Sequence, residues 1–368
     1  MRIALVVPGG VDRSGEYRVI PALLALIGRL SAVHDVHVFA VTQEADAGEW
    51  SLAGAQIHNI GSKRTRLRAV RAICALHAST PVDMVHAVWS GRCGMVAVAA
   101  ARFLGIPSLI HVAGGELVAL REIGFGGRLT WRGRLTEAVV LRATSAITAA
   151  STPIVALLAQ LGLQATRVPL GVDLDVWPPR EPVSRDPGRP ARLLHVASLN
   201  LVKDQTTLLR ALAVLAASGR DFQMDFIGED VLNGSIQELA RQLGLAERVN
   251  FHGFLTQRAV RPFVERADVN IVSSRHETGP LVVLEAAVAG VPTVGTAVGY
   301  IAEWAPHAAL SVPVGDWSGL AAAIGQLIGD ESLRLRIARE ALKRASREDA
   351  AYTASCFRDL YSKLVRSR

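Results

Sequence analysis

The chain has 368 residues, of which 50% are hydrophobic and 5% aromatic, and its 40 Lys/Arg against 33 Asp/Glu give a formal net charge of +7. This length excludes one small core and fits two domains of roughly 170 to 190 residues each. The composition is typical of α/β proteins whose parallel strands are buried on both faces. Three widely spaced cysteines, Cys74, Cys93 and Cys356, have no metal or redox spacing, so we interpret them as thiols of a reducing cytoplasm.

Strand-then-helix units repeat along residues 1–170. The apolar run Ile3–Val7 leads into a Pro-Gly-Gly turn, which indicates a buried strand rather than a signal peptide, and so implies no export. Further strands (DVHVFAV, MVHAV, SLIHVAG and SAITAAS) follow, with helices predicted near 18–30 and 93–104. This alternation is the doubly wound pattern.

The same pattern resumes in the second half of the chain. It lapses between Val168 and Pro190, where six of the sixteen prolines lie, and we interpret 171–190 as a linker. A second series of strands and helices fills 191–350, and a last helix in 351–368 is expected to cross back to the first domain. We therefore predict an α/β protein with two Rossmann-like, doubly wound domains facing each other across a cleft, with ligands bound outside the carboxyl ends of the strands.

Two glycine turns in the first domain follow predicted strands. Gly9-Gly10 and Gly114-Gly115 can each bring backbone amides close to a ligand, because glycine tolerates tight turns and close approach. A tight turn alone is the alternative interpretation.

The most informative segment runs from Arg275 to Gly299. It places Glu277 and Glu285 eight residues apart around a turn and an apolar helix. Proline suits the first helical position, so we predict that the helix begins at Pro280 with Gly279 as its cap. The amides and positive dipole end of that helix would favour an anion. The two carboxylates can accept from sugar and ribose hydroxyls.

This segment resembles the E-x7-E signature of the retaining, GT-B-fold glycosyltransferases of the family-four type (glycosyl transferases group 1). In that family the first glutamate contacts the transferred sugar and the second contacts the nucleotide ribose. The glycine after the first glutamate often lies three residues on, whereas Gly279 lies two residues after Glu277. The resemblance covers nearly the full chain and implies the GT-B fold.

A second stretch, HVASLNLVKDQTTLLRAL, resembles the family segment in which an arginine and a lysine neutralise the diphosphate. Lys203 matches the lysine, whereas Ser198 occupies the arginine position. Either Arg275 restores the missing charge or the enzyme is weakened, since a hydroxyl donates only a neutral hydrogen bond. By the resemblance, Glu277 and Lys203 are the catalytic residues, and the donor is bound by Glu285, Gly279, Pro280, Leu281, Gly9, Gly10, Ser198, Asn200 and Arg275.

The turn at Gly114-Gly115 resembles the family's H-G-x-D segment, which meets the sugar. Ala113 stands where the family commonly has a histidine. His111, two residues earlier on the same strand face, is the candidate substitute in the acceptor and sugar pocket, and a packed strand histidine is the alternative.

The resemblance implies a metal-independent enzyme that needs no cofactor and moves a sugar from a nucleotide diphosphate donor to an acceptor hydroxyl with retention. We expect a polysaccharide or glycolipid product and a lipid-linked or saccharide acceptor. We find no His/Cys/Asp cluster with metal-ligand spacing in the sequence. A GT-B-fold nucleotide-sugar epimerase or hydrolase, and a degenerate non-catalytic subunit, remain alternatives.

Residues 1–170 hold 17 Lys/Arg against 10 Asp/Glu, and the rest of the chain holds 23 of each, so the whole excess charge lies in the first domain. The run SKRTRLRAVRAICALH predicts a basic amphipathic helix that suits an anionic membrane surface. Its basic residues are Lys63, Arg64, Arg66, Arg68 and Arg71. A second cluster around Trp131 would add an aromatic anchor. An arginine-rich solvated face is the alternative, and nucleic acid is not expected because no stacking-aromatic motif accompanies the charge.

Overall fold

The computed structural model describes residues 1–366, which divide into two compact units. The first unit contains Met1–Asp173 and the C-terminal residues from Asp349, and the second contains Leu174–Glu348. Each unit is built on its own mainly parallel sheet with helices on both faces, so the predicted α/β fold class is confirmed. No helix within residues 1–366 is long and apolar enough to cross a bilayer.

The first unit contains an eight-stranded sheet in the order β3-β4-β2-β1-β5-β6-β7-β8. All neighbouring strands are parallel except β3 and β4, which form an antiparallel hairpin at one edge. In chain order its elements are β1 (Arg2–Val7), α1 (Pro21–Ser31), β2 (Asp35–Ala40), β3 (Gly48–Leu52), β4 (Ala55–Asn59), α2 (Thr65–Ser79), β5 (Met84–Val88), α3 (Met95–Leu104), β6 (Ser108–Val112), α4 (Trp131–Ala143), β7 (Ala146–Ala149), α5 (Thr152–Gln160) and β8 (Thr166–Arg167).

The second unit contains a six-stranded, all-parallel sheet in the order β11-β10-β9-β12-β13-β14. Its elements are β9 (Ala191–Val196), α6 (Gln205–Ala217), β10 (Phe222–Ile227), α7 (Ser235–Gln242), β11 (Val249–Phe251), α8 (Gln257–Arg266), β12 (Val269–Val272), α9 (Leu281–Val288), β13 (Thr293–Thr296), α10 (Gly299–Trp304), β14 (Leu310–Val312), α11 (Trp317–Gly329) and α12 (Glu331–Arg347). A final helix, α13 (Ala350–Arg366), belongs to the first unit.

The parallel strands are apolar because both faces of each sheet are covered. In the first unit, β1 is buried from Ile3 to Val7, and its side chains divide between a core under α2 and α3 and a core under α1 and α13. Successive side chains of a strand point to opposite faces of the sheet, which is why β1 contributes to both cores.

The proline-rich segment 171–190 contains no helix or strand. From Leu174 onward it belongs to the second unit, where Trp177 is buried. The Arg189 guanidinium pairs with the Asp268 carboxylate at 2.7 Å.

Several helix boundaries differ from those predicted. The helix expected near 18–30 begins at Pro21, because proline is preorganised for the first helical turn. The helix expected at 93–104 begins with a π-helical turn, Ser90–Gly94, before regular α3. The hairpin β3–β4 was not predicted.

The C-terminal helix α13 packs against α1 and closes one face of the first sheet. Thr353 Oγ1 donates to the Pro169 carbonyl at 2.7 Å and accepts from the Gly171 amide at 2.9 Å. Deeper in the core, the Tyr361 hydroxyl and His86 Nδ1 are hydrogen-bonded at 2.7 Å, and both side chains are fully buried. Burial also holds the pKa of His86 well below its usual value, so the ring is neutral.

We expect Tyr361→Phe to lower the free energy of unfolding by about 1–3 kcal/mol, because it leaves a buried ring nitrogen of His86 without its partner. Urea denaturation measures this change. The matched control is Tyr17→Phe at an exposed tyrosine of the same unit, expected to stay within about 0.5 kcal/mol of wild type. Equal effects of the two substitutions would contradict the assignment.

Candidate functional site

The loop between β12 and α9 carries Glu277. Helix α9 begins at Leu281, not at Pro280 as predicted, because Pro280 has extended ψ (120°) while its carbonyl accepts the first bond from Val283 at 3.1 Å. Pro280 is therefore the N-cap. The preceding turn packs closely, since a Cβ on Gly279 would lie 2.7 Å from Tyr300 Cζ. The amides of the first turn begin directly after this loop, which is an anion-binding arrangement.

Lys203 and Glu277 form an ion pair, with Nζ 2.5 Å from Oε1. Lys203 lies just before helix α6, whose N-cap is Asp204. Ser274 Oγ donates to the same carboxylate oxygen at 2.7 Å. The side chains of Lys203 and Glu277 are 27% and 13% exposed. The structure thus brings together the two residues predicted to be catalytic, although they lie 74 positions apart in the chain.

Glu285 lies on the second turn of α9 and is buried. Gln257, at the start of α8, donates from Nε2 to Glu285 Oε1 at 3.0 Å. Burial raises the pKa of the Glu285 carboxyl, and the hydrogen bond from Gln257 opposes that rise. Sequence analysis missed Gln257, because a glutamine at a helix start carries no signal for a partner 28 positions away.

The other residues of the second unit that were predicted to bind the donor diphosphate form hydrogen bonds or ion pairs within the protein. Asn200 Oδ1 accepts from the amides of Val202 and Lys203 at 3.1 and 3.0 Å, so this oxygen shapes the turn and is not open to a ligand. The Arg275 guanidinium lies 3.1 Å from Asp204 Oδ2. Its charge is therefore compensated within the unit. Ser198 is half-buried and its carbonyl accepts from Gln205.

In the first unit, the Gly9-Gly10 turn follows β1. Gly10 has φ of 82°, which glycine adopts without strain. The Gly10 amide, predicted to approach the donor, donates to Gln43 Oε1 at 2.7 Å, and the Val11 amide donates to the same oxygen at 3.0 Å. This amide is therefore satisfied within the protein. Gln43, which follows β2, is the residue that sequence analysis did not single out.

The second glycine turn is held by Glu116. Its carboxylate accepts from the Gly114 amide at 2.7 Å and from the Ser90 amide at 3.1 Å. It thus joins the turns that follow β5 and β6, which are neighbours in the sheet. Gly115 has no room for a side chain, because a Cβ there would lie 2.4 Å from Phe125.

A second buried carboxylate lies beside this turn. Glu137 of α4 accepts a hydrogen bond from Ser90 Oγ. Burial raises the pKa of Glu137 to about 7; the Ser90 hydroxyl opposes the rise, and the nearby Glu116 adds to it. Ser90 therefore contacts two carboxylates, through its amide and its hydroxyl.

The sequence matches two known domain families. Residues 180–344 match the family described as "Glycosyl transferases group 1", and residues 19–171 match the "Glycosyl transferase 4-like domain". The chain belongs to the glycosyl transferases of group 1. The predicted family membership is confirmed.

The chain is also similar to curated proteins. The chain is 30% identical over 239 residues to the putative glycosyltransferase EpsF of Bacillus subtilis, covering 60% of this chain and 59% of the relative. It is 29% identical over 178 residues to EpsD of the same organism, covering 46% of this chain and 45% of the relative. The match to glycogen synthase of Mycobacterium tuberculosis is 27% identical and covers 86% of this chain and 75% of the relative. The chain thus spans about half the length of the two Bacillus relatives.

Solved structures show the same GT-B fold. Sucrose-phosphate synthase from Thermosynechococcus elongatus has a TM-score of 0.83 at 19% identity, with 100% of both chains covered. HepE from Anabaena, in complex with UDP-glucose, has a TM-score of 0.76 at 19% identity, with 99% of this chain and 100% of that chain covered.

In the first unit, His111 is not available to a sugar. Its side chain is completely buried, lies 5.5 Å from the Phe357 ring of α13 between centroids, and Nδ1 is 3.0 Å from Thr148 Oγ1. Burial lowers its pKa to about 3. The alternative interpretation, a packed strand histidine, describes His111 in this structure.

The basic helix exists as α2, but its apolar side is not open to a membrane. Ala69 and Ile73 are buried in the core, and Val70 and Leu76 pack against that core beside α3. The predicted basic residues are all exposed: Arg66, Arg68 and Arg71 lie on α2, and Lys63 and Arg64 lie just before it. Leu67 is the one large apolar side chain of this helix that is exposed, so the helix offers surface charge without a continuous apolar face.

We expect Glu137 to make stability depend on pH. Its folded pKa of about 7 lies above its ordinary value of 4.5. The contribution of the protonated carboxyl to the stability of the fold is therefore fully present below about pH 4.5 and is lost as the pH rises through about 7. Between pH 4.5 and 8, Glu137→Gln should gain roughly 2–3 kcal/mol relative to wild type, measured by urea denaturation. Glu16→Gln, at an exposed site of the same unit, serves as control. Parallel pH curves for wild type and Glu137→Gln would refute the assignment.

Proposed function

We propose that the protein transfers a sugar from a nucleotide diphosphate sugar to an acceptor hydroxyl with retention of the anomeric configuration. The observation that carries this proposal is the Lys203–Glu277 ion pair, at 2.5 Å, on the loops before α6 and α9. A cation and a carboxylate at the carboxyl ends of neighbouring parallel strands lie where ligands of such sheets bind.

In the proposed mechanism, Lys203 and the first amides of α9 stabilise the leaving diphosphate. An ammonium group has three donors, so Lys203 can hold Glu277 and a phosphate oxygen together. The positive end of the helix adds to this effect. These groups are fixed before the reaction, which makes their electrostatic stabilisation of developing charge effective. The proposal assigns no metal and no cofactor to the reaction.

Glu277 is proposed to orient the transferred sugar, and Glu285 to bind the ribose. The Ser274 hydroxyl and the Lys203 ammonium group both contact Glu277 Oε1 rather than Oε2. Glu285 similarly accepts the hydrogen bond from Gln257 through Oε1. Each carboxylate can therefore accept from substrate hydroxyls through its other oxygen.

We further propose a polysaccharide or glycolipid product, with a lipid-linked or saccharide acceptor bound by the first unit near Gly114-Gly115. The curated relatives support this class, since they include a glycogen synthase and a lipopolysaccharide core glycosyltransferase of Rhizobium meliloti. HepE was solved with UDP-glucose, which supports a nucleotide sugar as donor. The three free cysteines agree with a cytoplasmic location.

One observation favours a degenerate, non-catalytic subunit as the second candidate. Ser198 stands where the family has an arginine, and Arg275, the candidate replacement, is paired with Asp204 at 3.1 Å. Donor binding without transfer would then be the result.

Donor binding is tested by thermal shift with UDP-, GDP- and ADP-sugars. A ligand that binds only the folded state stabilises by about 2.7 kcal/mol at a concentration of 100 Kd, so one donor class should raise the midpoint. Glu285→Gln should lose this shift, because the amide cannot replace the carboxylate as a double acceptor. Glu247→Gln, at an exposed glutamate of the same unit, should keep it. No shift with any donor would count against a nucleotide-sugar site.

Catalysis is tested by sugar transfer with the donor so identified. We expect Lys203→Gln and Glu277→Gln each to lower kcat by roughly 10²–10³-fold while the fold persists. Lys343→Gln, at an exposed lysine of α12, is the control. Proton NMR of the product should show the donor's anomeric configuration. Donor binding with no transfer by wild type, over a panel of saccharide and lipid-linked acceptors, would favour the non-catalytic subunit.

A further inference from the structure

Helix α4 of the first unit exposes an apolar stripe. Trp131, Leu135 and Val139 follow one another at intervals of four residues, and they are 62%, 56% and 57% exposed. Residues four apart lie on the same side of a helix. Three large apolar side chains in one row are therefore open to solvent.

The stripe is not part of the core packing of α4. The opposite side of the helix is buried through Glu137, Val140 and Leu141. Gly133 fits closely there, since a Cβ on it would lie 2.1 Å from the Gly127 carbonyl oxygen. The helix is thus fixed to the unit by one face while the other presents the stripe.

Arginines surround the stripe. We define the α4 surface as Trp131, Leu135, Val139, Arg128, Arg132, Arg134, Arg142 and Arg102. None of these five arginines forms an ion pair within residues 1–366. The only acidic residue on α4 is Glu137, which is buried. The α4 surface is therefore apolar along its centre and positively charged at its margin.

A groove of about 340 Å³ lies at the C-terminal end of this surface. It is lined by Arg102 of α3 and by Ala138, Val139, Arg142 and Ala143 of α4. Two guanidinium groups beside an apolar floor suit a phosphate head group whose neighbouring carbon atoms remain in apolar surroundings.

We propose that the α4 surface docks on an anionic lipid bilayer, with the stripe in the interface and the arginines on lipid phosphates. Tryptophan favours the membrane interface, because its ring is apolar and its N–H remains in contact with polar groups. Arginine side chains extend along the interface and keep their charge in water. An apolar row flanked by basic residues is the arrangement of helices that lie in the interface plane.

Charge argues for a bilayer over a second copy of this chain. In a symmetric dimer the same patch meets itself, so the five arginines would approach the five arginines of the other copy without acidic partners. An anionic leaflet instead attracts each basic residue by about 1 kcal/mol. Helix α2 adds charge to the same unit, but Leu67 is its only exposed large apolar side chain, so we assign it to long-range attraction only.

The experiment is vesicle flotation of the full chain with phosphatidylcholine alone and with phosphatidylcholine containing 30% phosphatidylglycerol, a composition we choose as about the level of an anionic leaflet. Wild type should bind the anionic vesicles. Trp131→Ser/Leu135→Ser/Val139→Ser should bind at least about tenfold more weakly, since one fully buried aliphatic side chain is worth about that factor. Because all three side chains are exposed, circular dichroism should show an unchanged fold.

The matched control is Leu201→Ser/Val231→Ser, two exposed apolar residues of the second unit, which should bind like wild type. Trp131→Phe tests insertion separately: with brominated acyl chains, wild-type fluorescence should be quenched more than that of Trp131→Phe, although both bind. Equal binding of wild type and the triple variant would overturn the proposal in favour of charge alone. Self-association that the triple variant abolishes, without vesicle binding, would overturn it in favour of a protein contact.

The proposal does not depend on the donor chemistry. Vesicle binding needs neither nucleotide sugar nor transfer, and no residue of the α4 surface belongs to the proposed donor site. Loss of flotation and loss of donor binding are therefore separate results.

Discussion

The half-buried ion pair between Lys203 and Glu277 is the interaction on which the candidate donor site depends. Each charge loses hydration, and the loss is compensated only because the partner and Ser274 are both within hydrogen-bond distance. The pair in turn requires that the loops before α6 and α9 meet. They do so because β9 and β12 are neighbours in the sheet although they are far apart in the chain. The order of the strands therefore determines the chemistry.

Two other turns at the carboxyl ends of strands are likewise fixed by contacts with side chains of the protein. Glycine turns expose amides, and every buried amide needs an acceptor. Gln43 supplies the acceptor at Gly10, and Glu116 supplies it at Gly114. These hydrogen bonds hold the conformation of each turn without a ligand. Fixed dipoles are what an electrostatic mechanism needs, because they do not have to reorganise when charge develops.

Most strands and most helices were predictable from the sequence, because apolar runs and periodicity are local, but the half-exposed hairpin β3–β4 was not. The positions of Glu277, Lys203 and Glu285 in one unit followed from a resemblance and not from physics alone. The partners of these residues were not predictable. Gln257 contacts Glu285 across 28 positions, and Asp204 neutralises Arg275 through a pairing that depends on how two loops approach. Likewise, the apolar pattern of a strand does not indicate that α13 covers His111.

The two basic helices of the first unit show why amphipathic patterns alone mislead. Helix α2 has the stronger run of arginines, but Ile73 and Ala69 are needed to complete the core beside α3. Helix α4 attaches through Glu137, Val140 and Leu141, so Trp131 and Leu135 have no internal partner surface. An apolar face of a helix is available to an external partner only when another face of the same helix already packs against the core. For this reason the proposed docking surface is assigned to α4 rather than to α2, and the excess positive charge of residues 1–170 is proposed to favour an anionic partner.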